Sequence, residues 1–318
     1  MTEHAPPQAP NPEVAVLLDE LVASARPSSR TLPLPEGRLN FRELIAPYAD
    51  RPEVGPVTDR MIPADGHEVP VRLYRPAGES LPGIVVFLHG GGWVFGDLDS
   101  HDGLCRSLTR GSGIPTVAVD YRCAPEHPFP AGLDDTVAVT RWLAAHGEEI
   151  GAGPGPLALA GDSSGASLAA AAAVVLRDEG GSPVRFQALL YPATDPSMSS
   201  ASYRQFGDDP FLSADEMAWY WAQYGGGETP ADPRAALSTL ADLRGLPPAY
   251  VLVAGLDPLR DDGLAFAEAL RTAGVPVYRR EYPDMPHGFL LFPARLSAAV
   301  QALSEVAGAI AGGLSGQV

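Results

Sequence analysis

A chain of 318 residues with 45% hydrophobic and 19% charged content has the composition of an ordinary globular protein, one large α/β domain or two small ones. Its 22 basic residues, all arginine, against 39 acidic ones leave a formal charge of −17, which nucleic acid and anionic membrane surfaces would repel. The absence of lysine excludes Schiff-base and P-loop chemistry.

Residues 1 to 12 are polar and Pro-rich, with no basic start and no apolar centre, so they read as a disordered tail and not as a signal peptide. No run of 18 apolar residues offers a membrane span, and a cytoplasmic location is expected. Cys105 and Cys123 each lie in apolar context and are expected as reduced, buried thiols.

From Pro12 to Ala25 the apolar positions Val14, Leu17, Leu18, Leu21 and Val22 recur at helical spacing, and Phe41 to Tyr48 predicts a second short helix after the Pro-rich 27 to 35. Neither belongs to a sheet, so residues 1–50 are read as an attachment to a main domain of residues 51–318. Strands are then predicted at Val57–Ile62 and Val69–Tyr74, with a turn at Ala64-Asp65-Gly66, and at Ile84–Leu88, Thr116–Asp120, Leu157–Ala160, Phe186–Tyr191, Tyr250–Ala254 and Val277–Tyr282. Helices are predicted between them near 102–110, 133–146, 164–176 and 263–272, with a closing helix near 294–311. Strand and helix in alternation imply a mostly parallel sheet covered on both faces. Residues 196–232 interrupt the pattern. They hold no strand, and Ser213-Ala214-Asp215-Glu216 forms a capping box ahead of a short aromatic helix, read as a lid over a pocket.

The chemistry centres on Gly161-Asp162-Ser163-Ser164-Gly165, which joins an apolar strand to a helix rich in small residues. G-x-S-x-G in that setting is a nucleophile elbow that holds Ser163 on a sharp, strained turn. A serine hydroxyl needs a base, and the base needs an orienting acid; on a sheet of this kind they follow the serine in the order acid, then histidine. His287 is the one histidine after Ser163. For the acid, Asp257 stands nearest the end of its strand and is preferred, with Asp195 as competitor and Asp261 and Asp262 as alternatives that could instead cap the next helix. His89-Gly90-Gly91-Gly92-Trp93 follows a buried strand and exposes backbone N–H groups that could hold an oxyanion, with the Ser164 N–H as a further donor.

These motifs, together with Tyr121 to Ala131, Asp257-Pro258-Leu259-Arg260-Asp261 and His287-Gly288-Phe289, resemble the bacterial hormone-sensitive-lipase-like esterases of the α/β-hydrolase superfamily. The resemblance implies an α/β-hydrolase fold, Ser163 as nucleophile, His287 as base, Asp257 as orienting acid, and the N–H groups of Gly91, Gly92 and Ser164 as oxyanion hole. It implies that the N-terminal helices and the 196–232 insertion cap the site, and that a homodimer forms. Two residues depart from the pattern: Ser164 stands where the family has Ala, and Cys123 where Leu is commoner. Candidate substrate-binding side chains are Trp93, Phe211, Trp219 and Phe289. No metal and no cofactor is implied. The expected activity is hydrolysis of short- to medium-chain acyl esters, a small-molecule substrate. An amidase or deacetylase on the same machinery is the runner-up, and a ligand-binding receptor on a dead hydrolase fold a more distant reading that the presence of His287 opposes. A true lipase acting on emulsified fat is disfavoured by the net charge.

Overall fold

The computed structural model describes residues 11–316. α1 (Pro12–Ala23) starts at the predicted Pro12, and Asn11, expected in the tail, caps it: the Asn11 side chain accepts the Glu13 N–H at 2.9 Å, and proline in the first turn gives up no helical bond. The rest of the expected tail, residues 1–10, lies outside the described residues. The second helix, α2 (Leu34–Ile45), begins at Leu34 rather than Phe41, because proline is also tolerated in its first turn.

The remaining elements are β1 (Val57–Ala64), β2 (His67–Tyr74), β3 (Ile84–Leu88), α3 (Asp102–Ser112), β4 (Thr116–Val119), α4 (Ala131–His146), β5 (Leu157–Asp162) and α5 (Ser164–Asp178). They continue with β6 (Val184–Leu190), α6 (Ala201–Phe206), α7 (Ala214–Tyr224), β7 (Ala249–Leu256), α8 (Arg260–Thr272), β8 (Val277–Pro286) and α9 (Ser297–Ser315). One eight-stranded sheet results, in the order β1-β2-β4-β3-β5-β6-β7-β8. β2 runs antiparallel to β1 and β4, and every other neighbouring pair is parallel.

The central strands are apolar on both faces, as burial between two helical layers requires. In β3, Ile84, Val86 and Leu88 join a core that includes the five alanines Ala169–Ala173 of α5, while Val85 and Phe87 join a second core with Leu104 and Leu108 of α3 and Val306 and Ile310 of α9. Each such Leu, Val or Phe withdrawn from water contributes roughly 1.5–3 kcal/mol. The small α5 side chains let that helix lie close to the strand feeding it. Among the described residues no helix is long and apolar enough to cross a membrane.

The insertion contains two helices, α6 and α7, where one was predicted. The capping box forms at α7: Ser213 Oγ accepts the Glu216 N–H at 3.1 Å and Glu216 Oε2 accepts the Ser213 N–H at 3.1 Å. Register then decides what gathers at the carboxyl edge of the sheet. Leu88 of β3 pairs with Gly161 of β5, and Leu256 of β7 pairs with Pro286 of β8. The first pairing sets the glycine loop beside the elbow, and the second sets Asp257 beside His287.

Candidate active site

Ser163 has φ 54° and ψ −121°, a left-handed backbone that a non-glycine residue keeps only when its surroundings impose it. Its N–H donates to Leu190 O at 2.8 Å, and α5 starts at the next residue. The flanking glycines are there for close approach. A Cβ on Gly161 would stand 2.5 Å from Gly165 backbone atoms, and a Cβ on Gly165 would stand 2.0 Å from Leu88 O. The elbow is thus pressed against β3 itself.

His287 Nε2 is 2.9 Å from Ser163 Oγ, and His287 Nδ1 is 2.7 Å from Asp257 Oδ2. Asp257 is fully buried, and its other oxygen accepts the Leu259 N–H at 2.7 Å. The Tyr191 ring meets the imidazole edge-on, centroids 4.9 Å apart. The rival acids lie elsewhere. Asp195 accepts from Ser197 and Ser238, Asp261 from Ser202, and Asp262 from the Thr194 and Asp195 N–H groups. Burial holds the Asp262 carboxyl well above the ordinary carboxylate range.

Gly91 and Gly92 take φ 112° and 62° in the loop after β3. Among the described residues, the N–H groups of Gly91, Gly92 and Ser164 meet no protein acceptor and remain available. Asp162 fastens this loop to the elbow: its Oδ1 accepts the Gly90 N–H at 2.9 Å and lies 3.2 Å from Nε2 of the buried His101. Burial, with the neighbouring His101, pushes the His89 imidazole down to about 4, so it is neutral, and its Nδ1 lies 2.9 Å from Gly90 O, where Nδ1–H donates. Tyr121 donates its hydroxyl to His89 O at 2.8 Å. Arg38 of α2 reaches the same region, bonded to Val94 O, Ala124 O and both oxygens of Glu126, whose carboxyl it holds below its usual range. Glu126 is therefore half of an ion pair.

A cavity of about 140 Å³ opens over Ser163, Ser164, His287, Gly91 and Gly92. Trp93 and Phe211 are in its wall, as expected of them. Trp219 and Phe289 are not. On α7, Met217, Tyr220, Trp221 and Tyr224 take the inner face at i, i+3, i+4, i+7 spacing. That turns Trp219 aside, stacked on Phe95 at 5.8 Å. Phe289 is fully buried behind His287, packed on Tyr282 at 5.2 Å and Tyr191 at 6.1 Å. Its neighbours Gly288, Leu291 and Phe292 reach the cavity instead. Sequence reasoning also did not single out Leu21 of α1, Phe41, Leu44 and Ile45 of α2, or Tyr220 of α7, which are among the other residues of the wall. The apolar periodicity of α1 and α2 signalled an inward face, but not what it faces.

Neither cysteine is in a disulfide; Cys105 is buried, while Cys123 is only half-buried, with its thiol pushed up to about 12 by desolvation. Among the described residues no group of His, Cys, Asp or Glu is arranged to hold a metal. The remaining histidines that make contacts do so in other pairs, His67 with Asp135 at 2.7 Å and His146 with Glu149 at 2.9 Å.

The family model described as alpha/beta hydrolase fold matches residues 85–291. The chain is 44% identical over 241 residues to the carboxylic ester hydrolase LipN of Mycobacterium tuberculosis, covering 74% of this chain and 64% of LipN. It is 42% identical over 272 residues to the carboxylesterase NlhH of the same organism, covering 83% and 85%. To the ethyl acetate hydrolase of Pseudomonas putida it is 37% identical over 317 residues, covering 94% and 98%. Among solved structures, an ester hydrolase from the metagenome of Lake Arreo superposes with TM-score 0.90 at 39% identity, covering 95% and 98%. With that fold, those relatives and the elbow and glycine loop in place, the chain belongs to the α/β-hydrolase fold family, in its hormone-sensitive-lipase-like branch.

Proposed function

We propose that this protein is a serine carboxylesterase that hydrolyses short- to medium-chain acyl esters. The observation that carries the reading is the hydrogen-bonded series Ser163, His287, Asp257 opening on an apolar cavity beside three available N–H groups. Ser163 Oγ attacks the ester carbonyl carbon while its proton passes to His287 Nε2, and Asp257 holds the imidazolium that forms. The carbonyl oxygen, now an anion, is received by the Gly91, Gly92 and Ser164 N–H groups. The C–O bond to the alcohol breaks, the alcohol oxygen takes the proton from His287, and the acyl group stays on Ser163. Water then attacks the acyl-serine, giving its proton to His287, and the carboxylic acid leaves as Ser163 regains a proton.

α1, α2 and the 196–232 insertion act as a cap, since they supply Leu21, Phe41, Phe211 and Tyr220 to the wall. A wall with so little charge suits an uncharged ester, and likeness to an ethyl acetate hydrolase supports a small one. The homodimer and cytoplasmic location expected from the sequence belong to the same proposal and are tested by light scattering and fractionation. The central test is a p-nitrophenyl ester series, acetate through palmitate, run on wild type and Ser163→Ala. Turnover by the wild type that peaks at short chains and is absent from the variant supports the reading; equal turnover by both would sink it.

A further inference from the structure

The turn that carries Asp257 is not held by the sheet alone. Ser202, fully buried in the first turn of α6, donates its hydroxyl to the carbonyl of Pro258, the residue after Asp257, at 2.6 Å. The same hydroxyl accepts the Asp261 N–H at 3.2 Å, and Asp261 Oδ2 accepts the Ser202 N–H at 2.9 Å. Each residue thus satisfies an N–H that the first turn of the other's helix leaves open. Asp262 ties the start of the insertion to the same turn through the N–H groups of Thr194 and Asp195, at 3.2 and 3.1 Å.

We infer that Ser202, with Asp261, is a positioning residue for the Asp257 carboxylate, so the insertion that walls the cavity also sets the acid against His287. This rests on Asp257 being the orienting acid, as proposed above. Without the Ser202 hydroxyl, the Pro258 carbonyl and the Asp261 N–H lose their buried partner, and the Asp257 turn is free to shift. A displacement of an ångström at such a group costs rate far more than binding. The titratable groups about His287 are Asp257 on its turn, Tyr191 at the end of β6, and Asp209 of the insertion loop, whose carboxyl is within reach of the charges of His287 and Asp257. Of these, the clamp touches only the turn of Asp257.

The test measures kcat and KM with p-nitrophenyl butyrate from about pH 5 to about pH 9 on wild type, Ser202→Ala, Asp261→Ala and Asp261→Asn. Ser202→Ala should lose roughly tenfold in kcat with KM within about twofold. The acid limb of its profile should move to lower pH, because a withdrawn carboxylate stabilises the imidazolium less. Asp261→Ala should follow it, and Asp261→Asn, which keeps an oxygen acceptor, should fall less. Variants that melt earlier but keep the wild-type kcat and pH profile would overturn the proposal, leaving the contact a structural one. Should Ser202→Ala fail to fold, the Asp261 pair decides on the same criteria. Failure of the esterase reading looks different: Ser163→Ala would then retain turnover.

Discussion

His287 Nε2 lies 2.9 Å from Ser163 Oγ, a hydrogen bond between residues 124 positions apart. If that bond is the proton path, Ser163→Ala should lower kcat by roughly 10⁴-fold or more and leave the melting temperature nearly unchanged. Asp257→Asn keeps the shape but favours the wrong imidazole tautomer, and should lower kcat by about 10²–10⁴-fold. Steady-state kinetics beside circular-dichroism melts check both.

The elbow glycines make a stability prediction. A Cβ on Gly165 would meet Leu88 O at 2.0 Å, backbone against backbone, so Gly165→Ala must push α5 off β3. The expected loss is at least about 2 kcal/mol of unfolding free energy, together with a fall in activity as Ser163 moves. Urea denaturation of the variant reads it directly.

Acyl preference should respond to the wall and not to the neighbouring aromatic. Phe211 lines the cavity, and Trp219 does not. Phe211→Ala should therefore raise kcat/KM for the octanoate relative to the acetate by roughly tenfold. Trp219→Ala should leave that ratio within about twofold, and the p-nitrophenyl ester series tells the two apart.

Asp120, at the end of β4, has its carboxyl pushed up to about 6, first by burial and then by the nearby Asp97. A raised folded-state value means that the folded protein holds this proton more tightly than the unfolded chain. Its stabilising contribution is complete below the ordinary carboxylate value, about 3.9, and is lost as pH rises through about 6. Asp120→Asn should therefore stabilise the protein by about 1 kcal/mol at pH 8, the full shift being discounted because the residue is only partly buried. At pH 4 the substitution should change little. Thermal melts at the two pH values give the comparison.

Much of this molecule was legible along the chain because the signals are local. The alternation of strands and helices follows from apolar runs that any sheet covered on both faces demands, and those runs fell where the strands are. The capping box at Ser213 and the elbow at Ser163 are readable for the same reason, since each is a demand on a few consecutive backbone units. Helix starts were less legible. α1 starts at Pro12 as its periodicity predicted, but α2 starts at Leu34, with Pro35 in its first turn, where proline suits a helix that it would break further in, so the Pro-rich stretch hid that start.

The sequence by itself therefore determined the strands and most of the helices, the strained serine, and a preference for Asp257 among the acids that could stand behind His287. The tertiary structure adds the pairing of Leu256 with Pro286, which sets Asp257, and not Asp195, Asp261 or Asp262, against the imidazole. It also decided that Tyr220 and not Trp219 meets the cavity, that Phe289 is buried behind His287, and that Leu21 and Phe41 arrive from helices far along the chain. Backbone conformation is encoded by neighbours in sequence. Which side chains meet across a cavity depends on register and packing between elements hundreds of positions apart, and no local pattern carries that information.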